Sequence, residues 1–170
     1  LKKSASYTTQ GKAISETLMK LAAEDERIYA ITPAMTTGAH LTEFAKKYPK
    51  RFIDAGIAEE HALVLANALA LSGMKPYVTI YSTFLQRGYD QVNHDIARMG
   101  GDVVVGIDRC GVIGEDGVSH QGIFDVSLLL PIPGITLAQG KDAAESARLL
   151  ATGFATEGPY LLRYSKNTMQ

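Results

Sequence analysis

The sequence has little of what marks secreted, membrane-bound or nucleic-acid-binding proteins. Cys110 is the one cysteine in 170 residues, which rules out an intrachain disulfide and fits a reducing cytoplasm. No N-terminal stretch reads as a signal peptide, and no run approaches the ~20 apolar residues of a membrane span. The net charge is −1 without a basic stripe, so neither nucleic acid nor a membrane is an expected partner. An anionic small molecule is still an allowed ligand, since one or two arginines suffice for a phosphate.

The composition that is present is that of one ordinary globular domain. Hydrophobic residues make up 46% of the chain and charged residues 21%, close to the average for soluble proteins. A chain of 170 residues is long enough to bury a core of its own. It opens at Leu1 rather than Met and stops at Gln170 without a recognisable tail. We therefore predict that residues 1–170 form a single domain, excised from a longer polypeptide.

Short β-type runs alternate with helical patterns along the chain. The run Val103-Val104-Val105-Gly106-Ile107 is typical of a strand that is buried on both faces. Such alternation predicts an α/β fold with a three-layer, doubly wound, mainly parallel sheet and helices on both faces. Helices are predicted over residues 9–23, 41–48, 59–72, 84–99 and 142–156, and strands over residues 27–31, 52–54, 77–81, 103–107, 135–138 and 160–163.

Function in doubly wound folds lies in the loops beyond the carboxyl ends of the strands. Polar residues of this chain gather in those loops. The four segments concerned are residues 32–40, 55–59, 82–87 and 108–121.

Two adjacent acids, Glu59 and Glu60, open a helix that is apolar nearly all round. Such a helix is predicted to lie inside the protein, with Gly73 ending it. The acids have two interpretations. Both are ordinary first-turn carboxylates beside the helix amides, or one is drawn inward, where desolvation raises the pKa and suits proton transfer. The apolar helix favours the second interpretation, whereas the neighbouring His61 is interpreted as structural.

The segments that follow the next two strands hold further candidates. Tyr81 and Phe84 are either a stacking platform for a heterocycle or core side chains, and periodicity alone favours the core. Arg87 lies off the apolar stripe, as a solvated arginine or an anion clamp. The glycine-rich loop after residue 107 carries a cation, acids and His120 in the densest polar stretch of the chain. Its one Cys and one His match no zinc spacing, so no metal site is predicted.

Three long blocks of the sequence resemble 1-deoxy-D-xylulose-5-phosphate synthases, and the similarity covers essentially the whole chain. Transketolases share the Glu-containing helix start and a Gly-Glu-Asp-Gly…His loop, but Tyr-Ser-Thr-Phe-Leu-Gln-Arg and Ser-His-Gln-Gly-Ile-Phe-Asp are similar to the synthases. The blocks are residues 54–61, 80–91 and 107–125, and residues 31–35 resemble the synthases too.

The resemblance implies a pyrimidine-binding domain that holds the aminopyrimidine ring of thiamine diphosphate (ThDP), with the diphosphate and its Mg²⁺ on another domain. Glu59 would contact N1′ of the ring and favour the imino tautomer, whose nitrogen removes the C2 proton. Phe84 would stack on the ring, and Ile57 would also contact the cofactor. The resemblance makes His120 a second catalytic residue. The implied substrate-binding residues are Tyr81, Arg87, Arg109, Asp116 and Lys166.

The implied reaction decarboxylates pyruvate and joins the two-carbon unit to glyceraldehyde 3-phosphate. The implied partners are the N- and C-terminal domains of the same enzyme and a second subunit, as a homodimer. Two alternatives stay open: a transketolase-type subunit that accepts ketose phosphates as donors, and a catalytically silent dimerisation module. The chain departs from the family pattern where Glu60 replaces a usual Gln, and where Lys166 replaces an Arg and so lacks the bidentate fork.

Overall fold

A six-stranded, fully parallel sheet organises the computed structural model, which describes residues 8–166. The strand order is β2-β1-β3-β4-β6-β5. The second strand lies on one side of β1, and the later strands, from β3 onward, lie on the other side. The switch point between β1 and β3 is where ligands bind in such sheets. The strands are β1 Ile28–Thr32, β2 Phe52–Asp54, β3 Lys75–Tyr81, β4 Val104–Asp108, β5 Thr136–Gln139 and β6 Tyr160–Arg163.

Helices cover both faces of the sheet, which confirms the predicted three-layer arrangement. Their apolar faces form two separate cores. One core lies under α1, α2 and α6 and includes Leu18, Phe44 and Leu150. The other lies under α3 and α5 and includes Leu63 and Leu129. The helices are α1 Gln10–Glu24, α2 Thr42–Lys47, α3 Glu59–Leu71, α4 Ser82–Leu85, α5 Asp125–Leu129 and α6 Ala143–Ala155.

Most predicted elements lie within two residues of the observed ones at each end. Thr9 caps the first helix, because its hydroxyl accepts a hydrogen bond from the Lys12 amide at 3.2 Å. Strand β4 is buried along its whole length, as its β-branched run indicates. Gly106 within it leaves room for Tyr77, whose ring would collide with any side chain there. No helix within residues 8–166 is both long and apolar enough to cross a membrane.

The helix predicted over residues 84–99 is confirmed as a continuous helical segment over residues 82–97, but it is not a regular α-helix. It consists of α4, a 3₁₀ turn at Gln86–Gly88, two α-helical residues and a π-helix at Gln91–Ala97. Val92 and Ile96 are buried as their spacing indicates. The periodicity of apolar residues predicted the buried face but not the hydrogen-bonding pattern. That pattern depends on packing against α3, which is so close that a side chain at Gly88 would collide with Leu63. Local π-helix often marks functional sites.

Helix α3 is buried on one face only, which corrects the expectation that it lies wholly inside. Leu63 and Ala66 are buried, whereas Val64 is 42% exposed and Leu71 56% exposed. The second apolar face therefore meets solvent in this chain. Gly73 follows the helix with φ +85°, a left-handed conformation that confirms its predicted role in ending α3.

Candidate functional site

The candidate site lies where β3 and β4 end. Tyr81 ends β3, Asp108 ends β4, and the two are register partners in the sheet. The loop after β1 reaches the same place, because Gly38 lies against the Tyr81 hydroxyl. A cleft of about 300 Å³, here called the aromatic cleft, opens at this edge and contains five of the predicted site residues. It is lined by Met35, Tyr81, Phe84, Arg109, Asp116 and His120.

Three aromatic rings and one guanidinium form a continuous row of contacts in the aromatic cleft. Tyr81 and Phe84 stack at 5.4 Å between centroids with 15° between planes. The edge of His120 meets Phe84 at 5.4 Å and 88°. Arg109 lies over the other ring, 3.9 Å from the Tyr81 centroid. Such a surface presents flat aromatic area beside a cation, as recognition of a heterocycle with an anionic group requires.

Asp116 lies between two cations at one side of the aromatic cleft. Its carboxylate accepts hydrogen bonds from Arg109 Nε and from Lys166 Nζ, each at 2.9 Å. The hydrogen bond from Lys166 holds the Asp116 pKa below its usual range, and the same contact raises the pKa of Lys166. Lys166 also contacts Glu115 at 2.9 Å. Internal acids therefore neutralise the cations predicted to bind substrate.

The carboxylate drawn inward at the start of α3 is that of Glu59, which is 3% exposed. Glu60 is half-buried and His61 is exposed. Among the described residues, Arg87 is the hydrogen-bonding partner of Glu59, with Nη1 donating to Oε2 at 2.8 Å. Arg87 is thus an ion-pair partner whose side chain is also partly solvated, and its substrate contact stays a prediction. Ile57, two residues before α3, is 80% exposed, and its cofactor contact stays a prediction too.

The loop that carries Asp116 and His120 is anchored by its own side chains. The amide of Gln121 donates to the carbonyls of Ile113 and Gly117 at 2.7 and 2.6 Å. Gly122 pairs with Gly111 and packs on the Arg109 carbonyl so closely that a side chain would collide there. These contacts hold the loop against the end of β4.

A buried ion pair anchors the far end of the same loop. Arg163 at the end of β6 binds both carboxylate oxygens of Asp125, at 2.7 and 3.0 Å. The Cys110 thiol donates to the same carboxylate at 3.2 Å. Burial raises the pKa of this thiol, so it is a structural donor rather than a nucleophile.

Two residues at this edge were missed by sequence reasoning. Asp108 is 3% exposed, and burial raises its pKa to about 6. It accepts a hydrogen bond from the Arg109 amide at 2.6 Å, and Arg109 has φ +58°. Its position as the last residue of the strongest strand was the available signal. His40 lines a second cavity beside Arg109, and its loop carried no distinctive pattern.

No group of three or more His, Cys, Asp or Glu side chains with the spacing of a metal site occurs within residues 8–166.

An α/β domain with a buried carboxylate at the start of α3 and an aromatic cleft where β3 and β4 end has the features of a cofactor-binding domain. A model of the transketolase pyrimidine binding domain matches residues 7–170. This chain belongs to that family.

Within this family, the chain is similar to 1-deoxy-D-xylulose-5-phosphate synthases of several bacteria. The 1-deoxy-D-xylulose-5-phosphate synthase of Listeria monocytogenes serotype 4b (strain CLIP80459) is 52% identical over 166 residues, 97% of this chain and 27% of that enzyme. The synthase of Bacillus cereus (strain G9842) is 53% identical over 154 residues, 90% of this chain and 24% of that enzyme. The predicted resemblance to synthases is confirmed. The chain spans about a quarter of the length of these relatives.

Solved structures agree with the fold. A transketolase from Leishmania mexicana superposes with a TM-score of 0.87 at 20% identity, covering 100% of this chain and 27% of that one. A split-gene transketolase, described as an inactive β4 tetramer, gives 0.85 at 24% identity, covering 95% of this chain and 53% of that one. At these identities the likeness establishes the architecture alone.

Proposed function

We propose that this chain is the pyrimidine-binding domain of a ThDP-dependent transferase that makes 1-deoxy-D-xylulose 5-phosphate. That enzyme decarboxylates pyruvate and joins the remaining two-carbon unit to glyceraldehyde 3-phosphate, which supplies a precursor for isoprenoid and thiamine synthesis. The observation that carries the proposal is the burial of the Glu59 carboxylate, 3% exposed, in the first turn of α3. The roughly half-identical synthases of Listeria and Bacillus support the choice of reaction.

The residues present fit the aminopyrimidine part of ThDP. Phe84 offers a flat ring, and Glu59 offers a carboxylate away from water. When bound, ThDP supplies a nucleophilic carbon that adds to the ketone of the donor. Glu59 would hold a proton at N1′ of the pyrimidine, Phe84 would stack on that ring, and Ile57 would cover it from the loop before α3.

Charged residues of the aromatic cleft suit the two anionic substrates. Arg109 and Lys166 supply the positive charge that a carboxylate or phosphate needs. An incoming anion would compete with Asp116 for both cations. The buried Tyr81 hydroxyl has no hydrogen-bonding partner among residues 8–166, which leaves it available to a ligand. His120, at the edge of Phe84, would then donate or accept a proton at the substrate.

Partners and location follow from the same proposal. The relatives are about four times as long as this chain, so other domains of the same enzyme would hold the diphosphate and its Mg²⁺. We assign the protein to the cytoplasm, as a homodimer. The exposed apolar side chains of α3, Val64 and Leu71, would lie in the interface of that homodimer.

Two other functions compete with this one. A transketolase-type subunit would take ketose phosphates as donors, and its structures match this fold at 18–24% identity. In a catalytically silent module the buried carboxylate at the start of α3 would serve only its ion pair with Arg87. The inward orientation of Glu59 favours a catalytic domain.

The test is a donor assay with the full-length parent protein, ThDP and Mg²⁺. We expect release of CO₂ from pyruvate, dependent on glyceraldehyde 3-phosphate, and no turnover of ketose phosphates as sole donors. Turnover of ketose phosphates without pyruvate would establish the transketolase alternative, and no turnover of either would support the silent module. The isolated chain should show no binding of ThDP with Mg²⁺ in the low micromolar range by calorimetry, since it holds only the pyrimidine half of the site.

A further inference from the structure

A second cavity of about 300 Å³ lies beside the aromatic cleft, on the other side of Arg109. We call it the cation cavity. Arg109 lines both the aromatic cleft and the cation cavity. An anion bound to its guanidinium could therefore contact residues of either one. The cation cavity is lined by Thr9, Gly11, Thr37, Gly38, His40, Asp108, Arg109, Ser165 and Lys166.

His40 is held at the rim of the cation cavity by its backbone. It has φ +56°, a left-handed conformation that costs most residues free energy but is found for His, Asn and Asp more often than for others. Ser15 Oγ donates to the His40 carbonyl at 2.5 Å and fixes this conformation from α1. The imidazole then lies against Gly11, whose missing side chain makes room for it.

The groups around His40 carry both signs of charge. Arg109, Lys166 and the buried Asp108 share the cation cavity with it, and Lys12 lies beside it in a neighbouring cavity that also contains Glu16 and Glu43. Partial burial lowers the pKa of His40, and Arg109 and Lys12 lower it further. The imidazole is therefore neutral beside two cations until a negative charge enters.

A buried group with no partner also borders this cavity. Tyr81 is 6% exposed, and its hydroxyl has no hydrogen-bonding partner among residues 8–166. That hydroxyl lies against Gly38, which lines the cation cavity. An oxygen-rich anion between Arg109 and Lys166 would bring a hydrogen-bonding partner to the Tyr81 hydroxyl.

We propose that His40 is a further substrate-binding residue, which closes the phosphate subsite of Arg109 and Lys166 and takes up a proton when a dianion binds. The inference rests on the proposed function, since the dianion would be the phosphate of the aldehyde substrate. A phosphate reverses the local charge that keeps the imidazole neutral, so the proton comes from solvent and binding is tighter at lower pH. The phosphate monoester gains from this residue, whereas pyruvate, with its single negative charge, gains little.

The test uses the full-length enzyme with sulfate as the probe, because sulfate is a dianion that does not titrate near neutrality. Calorimetric titrations in two buffers of different ionisation enthalpy, at about pH 7, measure the protons taken up on binding. We expect proton uptake by the wild-type enzyme and its loss in His40→Asn, which tolerates the same φ. His40→Gly should behave as His40→Asn does, which separates loss of the imidazole from altered backbone strain.

Two further variants serve as controls. His94→Asn removes an exposed histidine outside both cavities and should keep the proton uptake. Asp108→Asn removes the other group of the cavity whose pKa is near neutrality. Proton uptake that survives in His40→Asn but is lost in Asp108→Asn would overturn the inference.

Kinetics give an independent readout of the same role. His40→Asn should raise the KM for glyceraldehyde 3-phosphate about tenfold or more at about pH 6.5, as expected for one lost charged hydrogen bond, with kcat and the KM for pyruvate unchanged. An equal rise in both KM values would indicate a structural role and overturn the inference.

If the enzyme turns over both substrates but binds sulfate without proton uptake, His40 is excluded and the proposed function stands. If it does not accept these substrates, the proposed function fails and the inference fails with it.

Discussion

The guanidinium of Arg87 lies 2.8 Å from the buried carboxylate of Glu59 and joins the turn after α4 to the first turn of α3. Phe84 is three residues before Arg87, in α4 itself. The proposed proton-transfer group and the proposed stacking ring are thereby positioned by one short segment. Any shift of that turn would move both contacts to the pyrimidine together.

The first prediction concerns this ion pair. Arg87→Ala leaves the Glu59 carboxylate buried without its partner, so the free energy of unfolding of the chain should fall. We expect a loss of about 1 kcal/mol, because the Arg87 side chain is 54% exposed and the pair is screened on that side. Denaturant unfolding measures the change.

A double-mutant cycle tests the cause of that loss. In Arg87→Ala/Glu59→Gln the carboxylate is neutralised, so the double variant should be more stable than the sum of the single changes implies. Arg98→Ala, at an exposed arginine, should change little. Strict additivity of the two single changes would show that the ion pair does not stabilise the fold.

The layered architecture and the position of the site were predictable because they depend on local patterns. The β-branched run at residues 103–107 is buried on both faces, and the apolar helix drew one carboxylate inward at its first turn. Side-chain pairing across elements was not predictable. Nothing in the periodicity of residues 84–99 indicates that Arg87 meets Glu59, because that contact depends on how the segment packs on α3.

The left-handed conformation of Arg109 illustrates the same limit. Its guanidinium is directed over Tyr81 by a backbone with φ +58° and by the hydrogen bond to Asp108. Sequence alone could place Arg109 just after a strand, but not its torsion angle or the burial of its neighbour. Asp108 was read as the start of a polar loop, although the sheet buries it.

The second prediction concerns the pH dependence of stability. Burial raises the pKa of Asp108 from 3.8 to about 6, so the folded chain binds this proton more tightly than the unfolded chain does. The contribution of Asp108 to stability therefore falls as the pH rises from about 4 to about 6 and is constant above that. Asp108→Asn should raise the free energy of unfolding above pH 6 by up to about 3 kcal/mol.

The measurement is denaturant unfolding of wild type and Asp108→Asn over a pH series. The difference between them should shrink as the pH falls toward about 4, since the folded-state carboxyl is then protonated and, like the Asn amide, uncharged. Asp90→Asn, at an exposed aspartate, serves as the control. A stability difference that does not change with pH would show that Asp108 is ionised in the fold throughout this range.

The third prediction concerns Arg109. It touches both the Tyr81 ring and Asp116, at the boundary of the two cavities. In the full-length enzyme Arg109→Ala should raise the KM for glyceraldehyde 3-phosphate about tenfold or more, and far more than the KM for pyruvate. Arg109→Lys should recover only part of the loss, because a point charge lacks the planar fork. Equal effects of Arg109→Ala on both substrates would indicate that its ion pair with Asp116 is purely structural.

The last prediction separates the two adjacent acids at the start of α3. Glu59→Gln preserves shape and burial but cannot exchange a proton with N1′ of the pyrimidine. Loss of a positioned proton-transfer group typically costs ~10²- to 10⁴-fold in rate, and we expect that loss in the exchange of the ThDP C2 proton by the full-length enzyme. Glu60→Gln should exchange nearly as fast as wild type, because Glu60 is only half-buried.

The exchange rate, measured by NMR after dilution into deuterated buffer and acid quench, isolates activation of the cofactor from substrate binding. The exchange rate also distinguishes the role of Glu59 from that of its ion-pair partner Arg87. Arg87→Ala leaves the carboxylate in place, so exchange should slow less than in Glu59→Gln. Slow exchange in Glu60→Gln alone would move the catalytic assignment by one residue. Normal exchange in both variants would show that the first turn of α3 does not activate the cofactor, and that Glu59 is buried for its ion pair alone.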